Sequence, residues 1–290
     1  MNPEFNLLIL NPILNTDNYH RISSDYITHS LQTPLYLPVC DASPFVFSCF
    51  ALSIDGKLCY PDLLSGYSIA GKNNLATKEE RYADYWNLML GRSISDAVII
   101  GRNSLINECF KYQANIEHDE LIHFRKTLNK GKDLLHIIIT QDISKLDLKQ
   151  EIIFQDLDIP VIIYTGKKPE KIYSGFVTRN ISEINLNDTK QIVYEQDFLN
   201  ISLLTNKLFS LGIKTILNES PFLHHILQDQ KLLNEAWLNT SGVYIGGNIT
   251  SLGQSQPPFN STKHPHYTIL SLHHIANNFL YTRYKIDYIK

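Results

Sequence analysis

Phe45-Val46-Phe47-Ser48-Cys49-Phe50-Ala51-Leu52-Ser53-Ile54-Asp55-Gly56-Lys57 is the stretch that decides the fold. A mostly apolar run, Phe45 to Ser53, lies between Pro44 and the pair Asp55-Gly56. Such a run, without polar alternation, predicts a strand buried on both faces, and Asp-Gly predicts a sharp turn after it. The same signature recurs along the chain. Asp96 to Gly101, His136 to Thr140, Pro160 to Thr165 and Ile213 to Leu217 are short apolar runs, and the first stops at a glycine.

Between these runs lie segments with helical spacing. Lys78 to Ser93 puts Tyr82, Trp86, Met89 and Leu90 on one face. Leu199 to Leu211 does the same with Ile201, Leu204 and Leu208, and Gly212 closes it. Pro221 to Leu233 turns Phe222, Leu223, Ile226 and Leu227 inward, and Glu117 to Leu128 reads as a further helix. Ser65 to Gly71 reads as loop. From Glu235 onward only strands and turns are expected, with strands at 236–239, 266–272 and 278–286. The alternation predicts an α/β protein: a mostly parallel central sheet flanked by helices, with antiparallel C-terminal strands.

The 290 residues are 43% apolar and 19% charged, enough core for one large domain or two small ones and too apolar for a disordered chain. Residues 1–43 are rich in Asn, Pro, Thr and Tyr and end at the turn Asp41-Ala42-Ser43-Pro44. They are expected to form an N-terminal arm or small cap on a main domain of residues 44–290. Basic residues number 26 and acidic ones 29. No basic excess exists to hold a phosphate backbone, so nucleic acid is not an expected partner. A small phosphorylated ligand needs only one or two local cations. No apolar run is long enough to predict a membrane span. The start, Met1 to Leu14, lacks the basic residues of an export signal. Cys40, Cys49, Cys59 and Cys109 contain no C-x-x-C pair and read as reduced thiols of a cytoplasmic protein.

Several chemistries lack their motif. There is no G-x-G-x-x-G and no G-x-S-x-G. Gly66-x4-Gly71-Lys72 approaches a P-loop, but Asn73 stands where a magnesium-binding hydroxyl is needed. His224-His225, His264-x-His266 and His273-His274 have neither i, i+4 spacing nor cysteine company, so no metal is expected.

What remains is a set of strand-end motifs, where open α/β sheets bind ligands. After the first strand, Ser53 and Asp55 offer polar groups and Lys57 a cation for an anionic substrate. The plain alternative is a turn whose Asp bonds its own backbone. In Asp84-x7-Arg92-x3-Asp96-Ala97-Val98-Ile99-Ile100-Gly101-Arg102-Asn103-Ser104, Gly101 allows close approach to the backbone and Ser104 can donate to a phosphate. The alternative is a set of helix-face charges and a glycine turn. In Glu219-Ser220-Pro221-Phe222 a helix begins just after a strand, an anion site that Pro221 weakens by removing an N–H; helix capping also explains Ser-Pro. Gly246-Gly247 is either a ligand loop or a hairpin turn.

Together, in this order, the motifs resemble those of the pyrimidine reductases of riboflavin biosynthesis, with the C-terminal domain of RibD as the pattern. Ser53, Asp55, Gly56 and Lys57 match its S-x-D-G-K. Asp84, Arg92, Asp96, Ala97, Val98 and Gly101 match its D-x7-R-x3-D-A-[VI]-x-x-G-x-x-T, with Ser104 for the Thr. Gly212-Ile213 through Glu219 matches the segment before its E-G-G. Leu232 to Glu235, Gly246-Gly247, and Phe279-Leu280 with Arg283-Tyr284 match later signatures, so the likeness runs from about 45 to 286. Ser220-Pro221 replaces the glycine pair, D-D-P-x-L is absent, and 73–83 reads as an insertion.

The resemblance implies a dihydrofolate-reductase-like fold and an NADPH-dependent reductase of a phosphorylated ribosylamino-pyrimidine. It implies Asp55 as the catalytic residue, orienting substrate or relaying a proton. Ser53, Lys57, Gly246 and Gly247 would meet the substrate. Ala51, Ile100, Gly101, Arg102, Ser104, Thr140, Glu219, Ser220, Pro221 and Phe222 would surround NADPH, with Arg102 beside its 2′-phosphate. It also implies a homodimer built through the C-terminal strands, whose apolar residues would otherwise leave an edge open; the alternative is that these strands lie inside the sheet with residues 1–43 covering the edge. A same-fold reductase of another heterocycle or pterin, or a non-catalytic homodimer that is cofactor-binding or purely structural, stays open as an alternative.

Overall fold

The computed structural model describes residues 2–108, 111–195, 199–254, 256–276 and 278–288. In chain order the strands are β1 (Asn6–Leu10), β2 (Tyr19–Ile22), β3 (Leu35–Pro38), β4 (Phe45–Ser53), β5 (Ala97–Gly101), β6 (Leu135–Thr140), β7 (Val161–Thr165), β8 (Val177–Asn180), β9 (Lys190–Tyr194), β10 (Thr215–Asn218), β11 (Glu235–Ser241), β12 (Pro265–Ile275) and β13 (Phe279–Tyr288). The helices are α1 (Asp25–Leu31), α2 (Ser68–Gly71), α3 (Lys78–Ile94), α4 (Arg102–Asn107), α5 (Asp119–Thr127), α6 (Ile152–Gln155), α7 (Ile201–Ser210) and α8 (Pro221–Asp229).

An 11-stranded sheet has the order β1-β12-β13-β11-β4-β10-β5-β6-β7-β9-β8. Strands from β11 to β8 are parallel to their neighbours. The other end, β11-β13-β12-β1, is antiparallel. This is the architecture expected from the alternation of runs. β4 lies between β10 and β11 and is buried along nearly its whole length, which is why its sequence shows no polar alternation.

One core cluster covers each face of the sheet. On one face α3 packs Trp86, Met89 and Leu90 against Phe47 of β4 and Val98 and Ile100 of β5. On the other, Leu204 and Leu208 of α7 and Leu223 and Leu227 of α8 meet Ile99, Ile137 and Ile216. α3 starts in a capping box, with Glu80 N donating to Thr77 Oγ1 at 3.2 Å and Thr77 N to Glu80 Oε2 at 2.7 Å.

Three expectations need correction. Ser65–Gly71 is not all loop, since Ser68–Gly71 forms a helical turn. The first 43 residues contain three strands and a helix that were not anticipated, and β8 and β9 were also missed. The C-terminal strands do not leave an open edge. β13 lies between β11 and β12, and β1 pairs with β12 from Asn6↔His274 to Leu10↔Ser271. The N-terminal segment reaches further still: Phe5, Ile27, Leu31 and Leu35 belong to the same core cluster as Trp86.

Candidate active site

The C-terminal ends of the parallel strands open on one cleft of roughly 1500 Å³. That exceeds the range usual for one small ligand, about 300–1,000 Å³. The geometry follows from the sheet: parallel strands put all their C-terminal ends, and the helix starts after them, on one rim.

The β5 end supplies Gly101, followed by Arg102 and Ser104 of α4; β6 supplies Thr140. The β10 end leads into Glu219, Ser220, Pro221 and Phe222 at the start of α8, and β4 contributes Ala51. All nine line the cleft. Ile100 does not. It is fully buried in the core one residue before the rim. Gly101 approaches α8 so closely that a Cβ there would lie 3.1 Å from Ser220 Oγ. Ser220 caps α8 through Leu223 N at 3.4 Å and is itself held by Asn218, which accepts from Ser220 N at 3.0 Å. Arg102 Nε donates to Lys145 O at 2.8 Å. Lys145 and Lys167, from the loops after β6 and β7, add cations to this rim.

Ser53, Asp55, Lys57, Gly246 and Gly247 are brought together beside the cleft, next to lining residues, though none of them is itself in the lining. Ser53 Oγ donates to Asp55 Oδ1 at 2.7 Å and accepts from Lys57 N at 2.8 Å. Asp55 also accepts from Ile245 N at 3.2 Å and Gly246 N at 2.8 Å. The Ser53 hydroxyl first, then the two amides, hold the Asp55 carboxyl down at about 2. Gly246 and Gly247 take φ of +73° and +67°, the left-handed region that glycine enters without strain. The loop runs on into the cleft wall: Leu58 and Cys59 line it, and Leu58 N donates to Thr250 O at 2.9 Å beside the lining residues Thr250, Ser251 and Gln254.

Arg92 and Glu219, two motif residues far apart in sequence, form a buried bidentate pair. Nε and Nη2 lie 2.8 Å from Oε1 and Oε2. Tyr112 OH donates to Oε2 at 2.8 Å, and Arg92 Nη1 donates to Asn115 O at 3.1 Å. Burial pushes the Glu219 carboxyl up, and the Arg92 charge and hydrogen bonds and the Tyr112 hydroxyl more than reverse this, so its net shift is downward. Asp96 has a different role: it pairs with Lys130 at 2.5 Å and accepts from Lys214 N and Thr215 N, tying β5 to β10.

Sequence reasoning gave no site role to Asp84, Arg92, Tyr112, Asn239, Lys145 or Lys167, all of which line the cleft. Asp84 and Arg92 carried a signal, since a spacing of eight puts both on one helix face. The others come from loops and strands whose proximity only the folded chain sets.

No protein-family model and no curated protein matches the chain. Solved structures do. RibD from Acinetobacter baumannii superposes with TM-score 0.58 at 18% identity, covering 85% of this chain. This chain spans 59% of that protein's length. A pyrimidine reductase-like protein from Corynebacterium diphtheriae gives TM-score 0.62 at 13% identity, covering 85% of this chain and 93% of its own. The riboflavin biosynthesis reductase of Saccharomyces cerevisiae gives TM-score 0.53 at 12% identity, over 87% and 93% of the two chains. The fold is that of the riboflavin-pathway pyrimidine reductases. The dihydrofolate-reductase-like architecture expected from the motifs is therefore the observed one. Among the described residues no helix is long and apolar enough to cross a membrane, and no group of three His, Cys, Asp or Glu side chains is placed to hold a metal.

Proposed function

We propose that this protein is an NADPH-dependent reductase of a phosphorylated ribosylamino-pyrimidine, such as 5-amino-6-(5-phosphoribosylamino)uracil or its diaminopyrimidine analogue. One observation carries the reading. Ala51, Gly101, Arg102, Ser104, Thr140 and Glu219–Phe222 come from four strand ends and line a single cleft in a fold shared with reductases of this kind.

The residues fit a dinucleotide. Gly101 lets the β5 end pack directly on the capping Ser220, because a Cβ at 101 would press on Ser220 Oγ, and the two together form one continuous rim for a phosphate to rest on. Arg102, Lys145 and Lys167 supply positive charge on the same rim. When bound, NADPH supplies the hydride; the chain supplies position, charge and a dry site. Gly101, Ser104, Ser220 and Phe222 would hold the phosphates, Arg102 the 2′-phosphate, and Ala51 would lie beside the nicotinamide. The Arg92–Glu219 pair fixes α3 against the β10 end and keeps the wall between them rigid. Asp55 anchors the loop through Gly246, and Lys57 would face the substrate phosphate. The free thiols Cys40, Cys49 and Cys59 suit a reducing, cytoplasmic setting.

A second reading, a homodimer without turnover that is cofactor-binding or purely structural, is favoured by Pro221, which removes an N–H from the anion site at the start of α8. One experiment separates the readings: thermal shift with NADPH, followed by NADPH oxidation with the two pyrimidine phosphates. Ligand at a hundredfold over its Kd should stabilise the fold by about 2.7 kcal/mol. A shift with oxidation supports the reductase, a shift without oxidation supports a cofactor-binding protein without turnover, and no shift rejects the reductase and leaves the purely structural form of the second reading.

A further inference from the structure

Three polar side chains meet where α3 crosses β4 and β11. Asn87 Nδ2 donates to Asn239 Oδ1 at 3.0 Å, and Asn239 Nδ2 donates to Asp84 Oδ1 at 2.8 Å. Asn239 is in register with Ala51 of β4. Asp84, Asn239, Ala51 and Cys49 all line the cleft. Asp84 is only 7% exposed, its Oδ2 has no hydrogen-bond partner among the described residues, and the residue lines the cleft. It therefore opens on the cleft, beside the strand end where the reacting part of the ligands would lie.

A charged carboxylate is costly here. Burial pushes the Asp84 carboxyl up to about 6, against the opposing pull of the Asn239 hydrogen bond. The titratable groups that face it are the Cys49 thiol and the phenols of Tyr67 and Tyr281, each pushed up by burial and each neutral near pH 7. Arg81 acts on Tyr67, and the charge of Arg92 is taken up by Glu219. Because Asn239 donates to Oδ1, the proton of the neutral acid sits on Oδ2, the oxygen that faces the cleft.

We propose that Asp84 is the acid of this cleft, donating its Oδ2 proton to the nitrogen of a substrate C=N bond, with Asn239 and Asn87 as positioning residues. This rests on the reductase reading above. In the step the Asp84 O–H bond breaks and an N–H bond forms. A neutral acid and a neutral imine become a carboxylate and an iminium ion, and the carboxylate regains its proton from solvent. The iminium carbon accepts hydride from a dihydronicotinamide more readily than a neutral imine does.

The test compares wild type, Asp84→Asn and Asn239→Leu for turnover against pH and for calorimetric binding of the ribosylamino-uracil phosphate against pH. The expected wild-type turnover falls about tenfold per pH unit above an apparent value near 6. Asp84→Asn should lose roughly 10²–10⁴-fold in turnover, the range typical of a general acid, and show no such limb. Its melting temperature and its NADPH shift should stay near wild type. Asn239→Leu should move the limb to higher pH, because an N–H donor that favours the carboxylate is gone. Its binding curve should move with it, a readout that a merely structural Asn239 leaves in place. Folded Asp84→Asn with wild-type turnover and pH profile overturns the inference alone. A wild type that neither binds nor reduces the pyrimidine phosphates overturns the reductase reading and this inference with it.

Discussion

Arg92 grips Glu219 with two parallel hydrogen bonds of 2.8 Å, and side chains 127 positions apart in the sequence become one buried unit at the root of the cleft. The pair joins the last turn of α3 to the residue after β10. It is satisfied on both sides: Tyr112 donates to the carboxylate and the Asn115 carbonyl accepts from the guanidinium.

Arg92→Met should leave Glu219 buried without its cation, which costs about 3–5 kcal/mol. Denaturant unfolding at pH 7 measures it. The folded Glu219 carboxyl titrates below its ordinary 4.5, so the pair's contribution is whole above that value and drains as pH falls through the lowered one. The gap between wild type and variant should therefore narrow in acid. A gap that widens there would contradict the assignment.

Gly101→Val tests the phosphate cradle. Its Cβ would sit 3.1 Å from Ser220 Oγ, so the larger side chain would push Ser220 and the start of α8 away from the β5 end. The NADPH-induced thermal shift should vanish while far-ultraviolet dichroism stays native. A full shift with this variant would move the dinucleotide away from the β5 end.

Asp55→Asn separates an anchor from a catalytic group. Its carboxylate accepts from Ser53, Ile245 and Gly246, so the variant should loosen the loop that carries Thr250 and Ser251, raising KM more than it lowers kcat. The folded pKa of about 2 lies below the ordinary 3.8, so the anchor's contribution is present above 3.8 and lost toward 2. Loss of kcat alone, with KM and melting temperature unchanged, would assign Asp55 to the chemistry instead.

Glu151 is a buried carboxyl, 1% exposed, whose Oε2 has no hydrogen-bond partner among the described residues. Burial, then Asp147, pushes it up to about 7. Its folded value lies above the unfolded one, so it favours folding less as pH rises from 4.5 toward 7. Glu151→Gln should stabilise the protein at pH 8 by about 1–3 kcal/mol, because the amide carries no charge to bury there, and leave pH 4, where the carboxyl is already neutral, nearly unchanged. Melting curves at the two pH values decide.

A homodimer through the antiparallel end of the sheet remains the proposed assembly. The expected light-scattering mass at micromolar protein is about twice 33.3 kDa. β1, which covers β12, exposes Leu8 and Ile9, and Leu280 is exposed on β13. Leu8→Asp with Leu280→Asp should shift the mass toward the monomer. A wild-type mass near 33.3 kDa rejects the dimer.

The sequence by itself determined the centre of the sheet's parallel half, though not β8 and β9 at its end. β4, β5, β6, β7 and β10 are buried on both faces, so each had to be a continuous apolar run, and such runs are legible without knowledge of partners. α3, α7 and α8 were legible because one face of each meets a core, which imposes a helical period. The rim residues followed, since strand ends are fixed once strands are. β1 was not legible: Asn6–Leu10 lies at an edge, with mixed burial and no alternation to read. Nor could local sequence say that it would seal β12, because that pairing joins residues more than 260 positions apart. The tertiary structure alone decided that Asp55 spends its hydrogen bonds on Ser53 and the 245–246 amides while Asp84 faces the cleft with an oxygen to spare. Residue type and spacing place a carboxyl at a strand end or on a helix face. Which donors reach it, and how much water, depends on strands and loops that arrive from elsewhere in the chain, and these set whether it anchors a loop or faces a ligand.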